Sequence, residues 1–518
     1  MSEPKRFPSG CVASPHYLAS SAGLAVLADG GNALDAAVAT NLVLGVVAPY
    51  MCGYGGDLFA IIWENGNLHG YNGSGRAPAA ATPNAVRAAA GSEQMPGSGP
   101  LSVTVPGAVE AWFTLLELFG TKSFAELAEP AAWYARDGFP LSAKAAGYVG
   151  ASAALYTQPW GEVWQSVYGD AQAGERLRQV GLAKTIDTLR TAGPDAYYRG
   201  EIATAIADTL RKHGALMAPG DLAEHTGDTV EPLSTTYRGV EVYELPPNSQ
   251  GVAALEALNI LEGADLGAVG SASREHMVIE ALKLALADRN AYVTDTDHMT
   301  MRVAELTSKE WARRRRADID PDRASAPTVG RAAVGGTIYL CAADADGMLV
   351  SLIQSNYVGF GSGVTVPGWG INLQNRGGYF SLDPTHTNVV APRKRTMHTL
   401  MPAMAFRDGT PWLVFGTMGG DGQAQTQVEF LSHVVDDGLD IQQAIDAPRW
   451  VVSPADWSVA AEGRFGDAVL RALRVRGHRV EAVGPYETRM GHAHAIEVTE
   501  HGYAAATDPR AEGAALGL

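Results

Sequence analysis

The segment GGTIYLCAADADGMLVSLI, residues 335–353, constrains this chain more tightly than any other. Residues 338–343 are apolar and β-prone, 344–347 carry turn chemistry and 348–353 resume the apolar run, which predicts a β-hairpin. A threonine stands directly behind two glycines where the first strand begins. Glycines ahead of a hairpin commonly mark a loop and nothing more. A threonine hydroxyl is a weak nucleophile unless a base lies within hydrogen-bond reach, and one such base is the threonine's own α-amine, available only at a chain terminus. Thr337 is internal. Attack of its hydroxyl on the Gly336 carbonyl would give an ester, whose hydrolysis frees an amine of pKa about 7.7–8.0, close to what a general base needs at neutral pH. Glycines suit such a bond because they reach backbone conformations closed to other residues and leave the carbonyl without a neighbouring Cβ.

A nucleophile of this kind needs donors aimed at the developing oxyanion. The stretch WLVFGTMGGDGQAQTQVEFL, from residue 412, reads as a strand to Thr417, a glycine pair and a helix. Gly419 and Gly420 can then offer backbone N–H groups at a helix N-terminus, where the dipole favours negative charge. A tight strand-to-helix turn would look the same.

The rest of the pattern is mixed. GGNALDAAVATNLVLGVVAP, residues 30–49, is a buried alanine-rich helix ended by proline, and 58–63 and 68–75 are strands joined by a turn at 64–67. Further helices are predicted at 108–119, 124–137, 201–213, 252–262, 274–292, 422–437 and 466–477. Strands are predicted at 337–343, 348–355, 401–407 and 411–417, with a last pair near 492–507. Helices and paired strands in this order suggest sheets packed face to face with helices outside.

Charge and motifs narrow the function. With 39 basic against 56 acidic residues the net charge is −17, which argues against a nucleic-acid partner. The one basic run, RRRRAD at 313–318, reads as a solvated helix end. Cys11, Cys52 and Cys341 are too few and too scattered for a disulfide framework or a paired metal site, and the N-terminal MSEPKRFPSG lacks a secretory signal. No window approaches the ~20 apolar residues that span a bilayer. A cytoplasmic protein without a membrane partner is expected. Nucleotide-binding, zinc-peptidase and serine-hydrolase motifs are missing. His492 and His494 alternate on one strand face, but two ligands do not make a metal site, and no metal or other cofactor is expected.

Taken together, GYGGDLF, VPGAVEAW, YRGEIATAIADTL, YRGVEVYELPPNSQGVAALEALNILEG, EALKLALADR, GFGSGV, GTMGGDGQ and ATDPRAEGAALG resemble the γ-glutamyltranspeptidases, also called glutathione hydrolases, within the N-terminal-nucleophile hydrolases. The resemblance runs over nearly the whole chain. It implies an α/β fold, a four-layer αββα sandwich, made as one precursor cut between Gly336 and Thr337. Residues 1–336 and 337–518 would become a large and a small chain intertwined in one structural domain. Thr337 would be the nucleophile, Gly419 and Gly420 the oxyanion hole, and Ser355 the second hydroxyl beside the new amine.

The sequence also departs from the family. Where well-known members place an arginine for the substrate's α-carboxylate, this chain has Ser74, with Arg76 two residues on. Tyr379 stands where γ-glutamyl-specific members hold an acidic residue for the α-ammonium, and Arg376 stands where they hold a glutamine. His398 and Thr399 replace a pair of serines, and the 382–393 segment is short, so the lid of some members is missing. Losing a carboxylate and gaining an arginine suits an anion without an ammonium group, since an unpaired desolvated ammonium costs several kcal/mol. Arg76 and Arg376 are therefore candidates for gripping a substrate carboxylate.

These departures resemble the branch with oxamate amidohydrolases and some cephalosporin acylases. The expected partner is a small-molecule amide, γ-glutamyl or a related small anion, with the acyl group passed to water or an amine. Further homo-oligomerisation is left open. The rival reading is a family member that folds, never cuts itself and serves as a binding protein.

Overall fold

A computed structural model describes residues 3–327 and 336–518. Gly335, the first glycine of the pair before Thr337, lies outside the described residues. Among those described, two seven-stranded sheets with every neighbour antiparallel form the centre. One runs from edge to edge through Ala514–Gly517, Cys11–Ser14, Gly336–Ala343, Leu349–Tyr357, Asp57–Glu64, Asn67–Gly73 and Asp228–Val230. The other runs through Lys5–Phe7, Gly502–Thr507, Ala493–Thr499, Thr410–Thr417, Ala403–Arg407, Val240–Glu244 and Leu233–Tyr237.

Strand periodicity divides the core. On Gly336–Ala343, Ile338, Leu340 and Ala342 face a helical layer, whereas Tyr339, Cys341 and Ala343 face the second sheet. The outer layer on the first side includes the helix Ala33–Val47, every residue of which is buried. Its start is fixed by a capping box between Asn32 and Asp35, and its Asn41 accepts a 2.6 Å hydrogen bond from the Trp112 indole. On the other side lie the helices Gly251–Glu262, Ala272–Tyr292 and Gly422–Val435. The layers are thus helix, sheet, sheet, helix, as the resemblance implied. Cys11, Cys52 and Cys341 are all buried free thiols. No helix among the described residues is long and apolar enough to cross a membrane.

The helices Tyr17–Ala28, Ala143–Leu155 and Val180–Ala192 are absent from the sequence pattern, and two further differences have a local cause. The helix expected over 124–137 is broken into Phe124–Leu127 and Glu129–Asp137. Pro130 has no N–H to give residue 126, and its ring would clash with that carbonyl, so the helix restarts. The strands Leu233–Tyr237 and Val240–Glu244, absent from the pattern reading, form a hairpin turned by Arg238 and Gly239, both at positive φ (52° and 84°).

The helix Ala272–Tyr292 is buried along most of its length although it carries Arg274, Glu275, His276, Glu280, Lys283, Asp288 and Arg289. Charged groups inside a protein must be paired. That requirement organises both buried polar clusters described below.

Candidate active site

The hairpin bearing Thr337 is irregular at its open end. Gly336 pairs with Tyr357 and Ile338 with Gln354, so Ser355 and Asn356 together oppose Thr337 in a β-bulge. Tyr357 completes the bulge with φ 80°, a left-handed conformation unusual for a bulky residue. The bulge aims the Ser355 hydroxyl back at the opposite strand. Ser355 Oγ accepts from Thr337 Oγ1 at 3.0 Å and from the Tyr357 N–H at 2.7 Å, and it donates to the Gly336 carbonyl at 2.6 Å. Its two lone pairs and single proton are thereby all used. The carbonyl that Thr337 would attack already accepts a hydrogen bond that draws electrons from it. A Cβ on Gly336 would lie 2.7 Å from the Tyr50 carbonyl oxygen, so no other residue fits without moving backbone. Thr337 is 1% exposed.

The glycine pair approaches from the second sheet. The Tyr339 ring packs so closely on Gly416 that a Cβ there would lie 2.4 Å from it, which brings the strands leading to Thr337 and to the glycine pair against each other. Gly419 (φ 143°) and Gly420 (φ 58°) form the turn into Gly422–Val435 in conformations that side chains resist. Each carbonyl in the turn is held: Met418 O by the Thr417 hydroxyl at 2.8 Å, Gly419 O by the Gly422 N–H at 2.9 Å, Gly420 O by Gln250 Nε2 at 3.0 Å. Neither the Gly419 nor the Gly420 N–H has an acceptor among the described residues. Two donors at a helix N-terminus can stabilise an oxyanion.

Beside the bulge lies Arg376, 1% exposed. Its Nη1 donates to Thr399 Oγ1 at 2.9 Å, and its guanidinium covers the Tyr357 ring at 4.1 Å. Nε and Nη2 have no hydrogen-bond partner among the described residues. Burial draws its pKa down to about 10, which leaves it charged at neutral pH. Tyr379 donates to Asp421 at 2.7 Å, and Asp421 also pairs with Arg289 at 2.7 Å. The acidic group nearest Tyr379 is therefore already neutralised.

The other sequence candidates separate. His398 turns its Nε2–H to Asp57 at 3.1 Å and accepts the Leu400 N–H on Nδ1 at 3.3 Å. Burial, with the positive charges of Arg376 and Arg395, holds it neutral. Asp57 is raised to about 6 by burial, against the pull of Arg376 and the N–H groups of Gly75 and Gly107. Arg76 is 40% exposed and pairs with Asp295 at 3.5 Å and Asp228 at 3.7 Å. The structure brings Thr337, Ser355, Arg376, Thr399, Tyr379 and the glycine turn into one buried network and leaves Arg76 in a surface ion-pair cluster.

Gln250, Arg289, Asp421, Tyr357 and Asp57 belong to that network, yet sequence reasoning gave them no role. Gln250, Arg289 and Asp421 lie within the stretches PPNSQG, ALADR and GTMGGDGQ, but their chemistry emerges only from contacts between distant segments.

One further cluster, His276, Glu280 and His478, has the composition of a metal site. Its polar atoms are already satisfied. His276 Nε2 donates to the Asp320 carbonyl at 2.8 Å and His276 Nδ1 takes the His478 Nε2 proton at 2.7 Å, while Lys283 pairs with Glu280 at 2.8 Å and faces His478 Nδ1 at 3.4 Å. A metal on His478 Nε2 would force a proton onto Nδ1, opposite the lysine ammonium. His492 and His494 are buried and neutral, their pKa values lowered by burial to about 3 and about 4. His494 stacks on Tyr339 at 6.5 Å.

Comparison with known proteins matches residues 19–518 to the gamma-glutamyltranspeptidase family model. The chain is 41% identical to the glutathione hydrolase-like YwrD proenzyme of Bacillus subtilis, over 98% of each. It is 37% identical to the oxamate amidohydrolase proenzyme of Klebsiella pneumoniae, again over 98% of each. A crystal structure of cephalosporin acylase from Bacillus halodurans superposes with a TM-score of 0.95 at 40% identity, covering 100% of this chain and 97% of that one.

Proposed function

The chain belongs to the gamma-glutamyltranspeptidase family of hydrolases, and on that premise we propose that it cuts itself between Gly336 and Thr337 and then hydrolyses small anionic amides. In maturation the Thr337 hydroxyl attacks the Gly336 carbonyl, which the Ser355 O–H polarises, and the amide becomes an ester. Water hydrolyses the ester. Chains of residues 1–336 and 337–518 result, the second beginning with the free amine of Thr337.

In turnover that amine takes the Thr337 hydroxyl proton as Oγ1 attacks the substrate amide, and the N–H groups of Gly419 and Gly420 receive the oxyanion. The amine returns the proton to the leaving nitrogen, and water or another amine accepts the acyl group. Arg376 holds the substrate's carboxylate, in preference to Arg76, which is already ion-paired at the surface.

The observation that carries the substrate reading is Arg376 itself: a buried cation with two N–H groups that nothing in the described protein accepts. Orphaned buried donors are rare because each costs about 1–3 kcal/mol, and a planar carboxylate would satisfy both. An α-ammonium would find no such welcome, because Asp421 is engaged by Arg289 and Tyr379. Oxamate, the substrate named for the Klebsiella relative, has the required chemistry: a carboxylate directly attached to an amide.

The test has two parts. Purified wild-type protein should run as two bands on a denaturing gel and Thr337→Ala as one; an active wild type with residues 336 and 337 still joined would end the mechanism. A panel containing oxamate, related anionic amides and γ-glutamyl amides should release ammonia from the first group and little product from the second. Fast γ-glutamyl turnover would overturn the pocket reading. A Tyr379→Asp variant should gain γ-glutamyl hydrolysis.

A further inference from the structure

Among the buried side chains that no step above uses, Gln250 is one whose amide nitrogen and oxygen are both engaged within the site. It begins the helix Gly251–Glu262 and is 0% exposed. Its Nε2 donates to two carbonyls, Thr399 O at 2.8 Å and Gly420 O at 3.0 Å. Its Oε1 accepts from Arg289 Nη1 at 2.5 Å, and the same Nη1 reaches Asp421. Its backbone N–H donates to the His398 carbonyl at 2.9 Å. One amide therefore touches the segment that holds Arg376, through Thr399, and the turn that carries the oxyanion donors, through Gly420 and Asp421.

We infer that Gln250 is a positioning residue that welds the anion grip to the oxyanion hole, so that a substrate seated by its carboxylate meets the Gly419 and Gly420 N–H groups at the right height. This rests on the amidohydrolase reading above. The physical reason lies in the glycines. Gly419 and Gly420 have wide conformational freedom, so the turn keeps one geometry only if its carbonyls are held from outside. Three of the four anchors, the Thr417 hydroxyl, the Gly422 N–H and the Gln423 N–H that shares the Gly420 carbonyl at 3.2 Å, are local to the turn. Gln250 is the anchor that ties it to another part of the site. An error of about 1 Å between a bound substrate and its catalytic groups is worth roughly 100-fold in rate, so loss of the tie should be visible in kcat as well as in KM.

The amide is also chosen for its two-sidedness. A carboxylate in its place would still accept from Arg289 but could donate to neither carbonyl, and a thioether would do neither. Gln250→Glu isolates the donor role, and Gln250→Met is the nearly isosteric second variant should the first fail to mature.

The experiment measures self-cleavage, thermal melting and steady-state kinetics on oxamate for wild type, Gln250→Glu, Gln250→Met, Arg376→Met and the double variant Gln250→Glu/Arg376→Met. The expected result is a cut, folded Gln250→Glu enzyme with kcat reduced 10- to 100-fold and KM raised severalfold. In the Arg376→Met background, Gln250→Glu should still lower kcat but no longer raise KM, because the grip it aligned is gone. Cut and folded single variants with kcat and KM within twofold of wild type would overturn the inference. So would failure of both Gln250 variants to fold, which would make the residue a structural one. A wild type that neither cuts itself nor releases ammonia overturns the amidohydrolase reading, and this inference with it.

Discussion

Two buried polar clusters, both anchored on the helix Ala272–Tyr292, differ in one respect. Around Lys283 every group has found its partner: Glu280 binds Lys283 and the Ser325 N–H, and the two imidazoles pass a chain of hydrogen bonds to the Asp320 carbonyl. Around Arg289, one turn and a half further on, the pairing is complete as far as Asp421, Tyr379 and Gln250, and then stops at Arg376. The first cluster looks more like a functional centre by composition, with two histidines, a glutamate and a lysine. The second is the better candidate, because residual hydrogen-bonding capacity, rather than chemical variety, is what a ligand can use. Saturated polar groups hold the fold, whereas the open N–H groups of Arg376 leave room for a ligand.

Exchanging the two roles is the most direct way to break this contrast. Lys283→Met should leave the Glu280 carboxylate buried without its counter-ion and destabilise the protein by about 3–5 kcal/mol, a loss to be read by denaturant titration. The surviving folded, cut enzyme should keep its kcat/KM on oxamate. A large fall in activity at unchanged stability would mean that the saturated cluster takes part in the chemistry.

Arg376→Met should give the opposite pair of results. The melting temperature should hold or rise, because an incompletely paired buried cation has been removed, while kcat/KM for anionic amides should drop about 100-fold. That corresponds to about 2.7 kcal/mol, the order expected for hydrogen bonds to a charged group. If stability collapsed and activity persisted, the guanidinium would be a structural element and the substrate reading would fail.

A smaller effect sharpens the electrostatic side. Asp57, raised from its ordinary 3.8 to about 6, loses its negative charge beside Arg376 as the pH falls through 6. The positive field met by an incoming anion then strengthens, so KM for oxamate should decrease a few-fold between pH 7 and pH 5, and Asp57→Asn should flatten that change. Because the folded pKa is raised, Asp57 favours the folded state at acid pH, and this contribution is lost as the pH rises through about 6. kcat should move the other way, falling as the Thr337 amine, with pKa about 7.7–8.0, becomes protonated. A KM that stayed level across this range would detach Asp57 from the anion site.

Legibility followed sequence distance. Thr337 and Ser355 belong to one hairpin, 18 residues apart, which alternation and turn residues predicted, while the resemblance supplied Ser355 as the hydroxyl beside Thr337. The resemblance pointed to Gly419 and Gly420 as a pair but could not say what holds their carbonyls. The sequence put Arg76 ahead of Arg376 as the candidate grip, and burial and pairing reverse that order. The broken helix at Pro130 is the reverse case: a local proline effect, overlooked under a strong helical period.

By itself, the sequence indicated many of the strands and helices, the sheet-on-sheet plan and the family, and it pointed to the glycine-threonine bond, because each is written in side-chain period, turn chemistry or short motifs. Only the tertiary structure decided which charges are neutralised and which stay open. Gln250 meets Gly420 across 170 residues and Arg376 meets Thr399 across 23, on segments whose meeting depends on how the layers stack. The energy of a buried charge depends on everything within a few ångströms of it, and no stretch of sequence contains that neighbourhood.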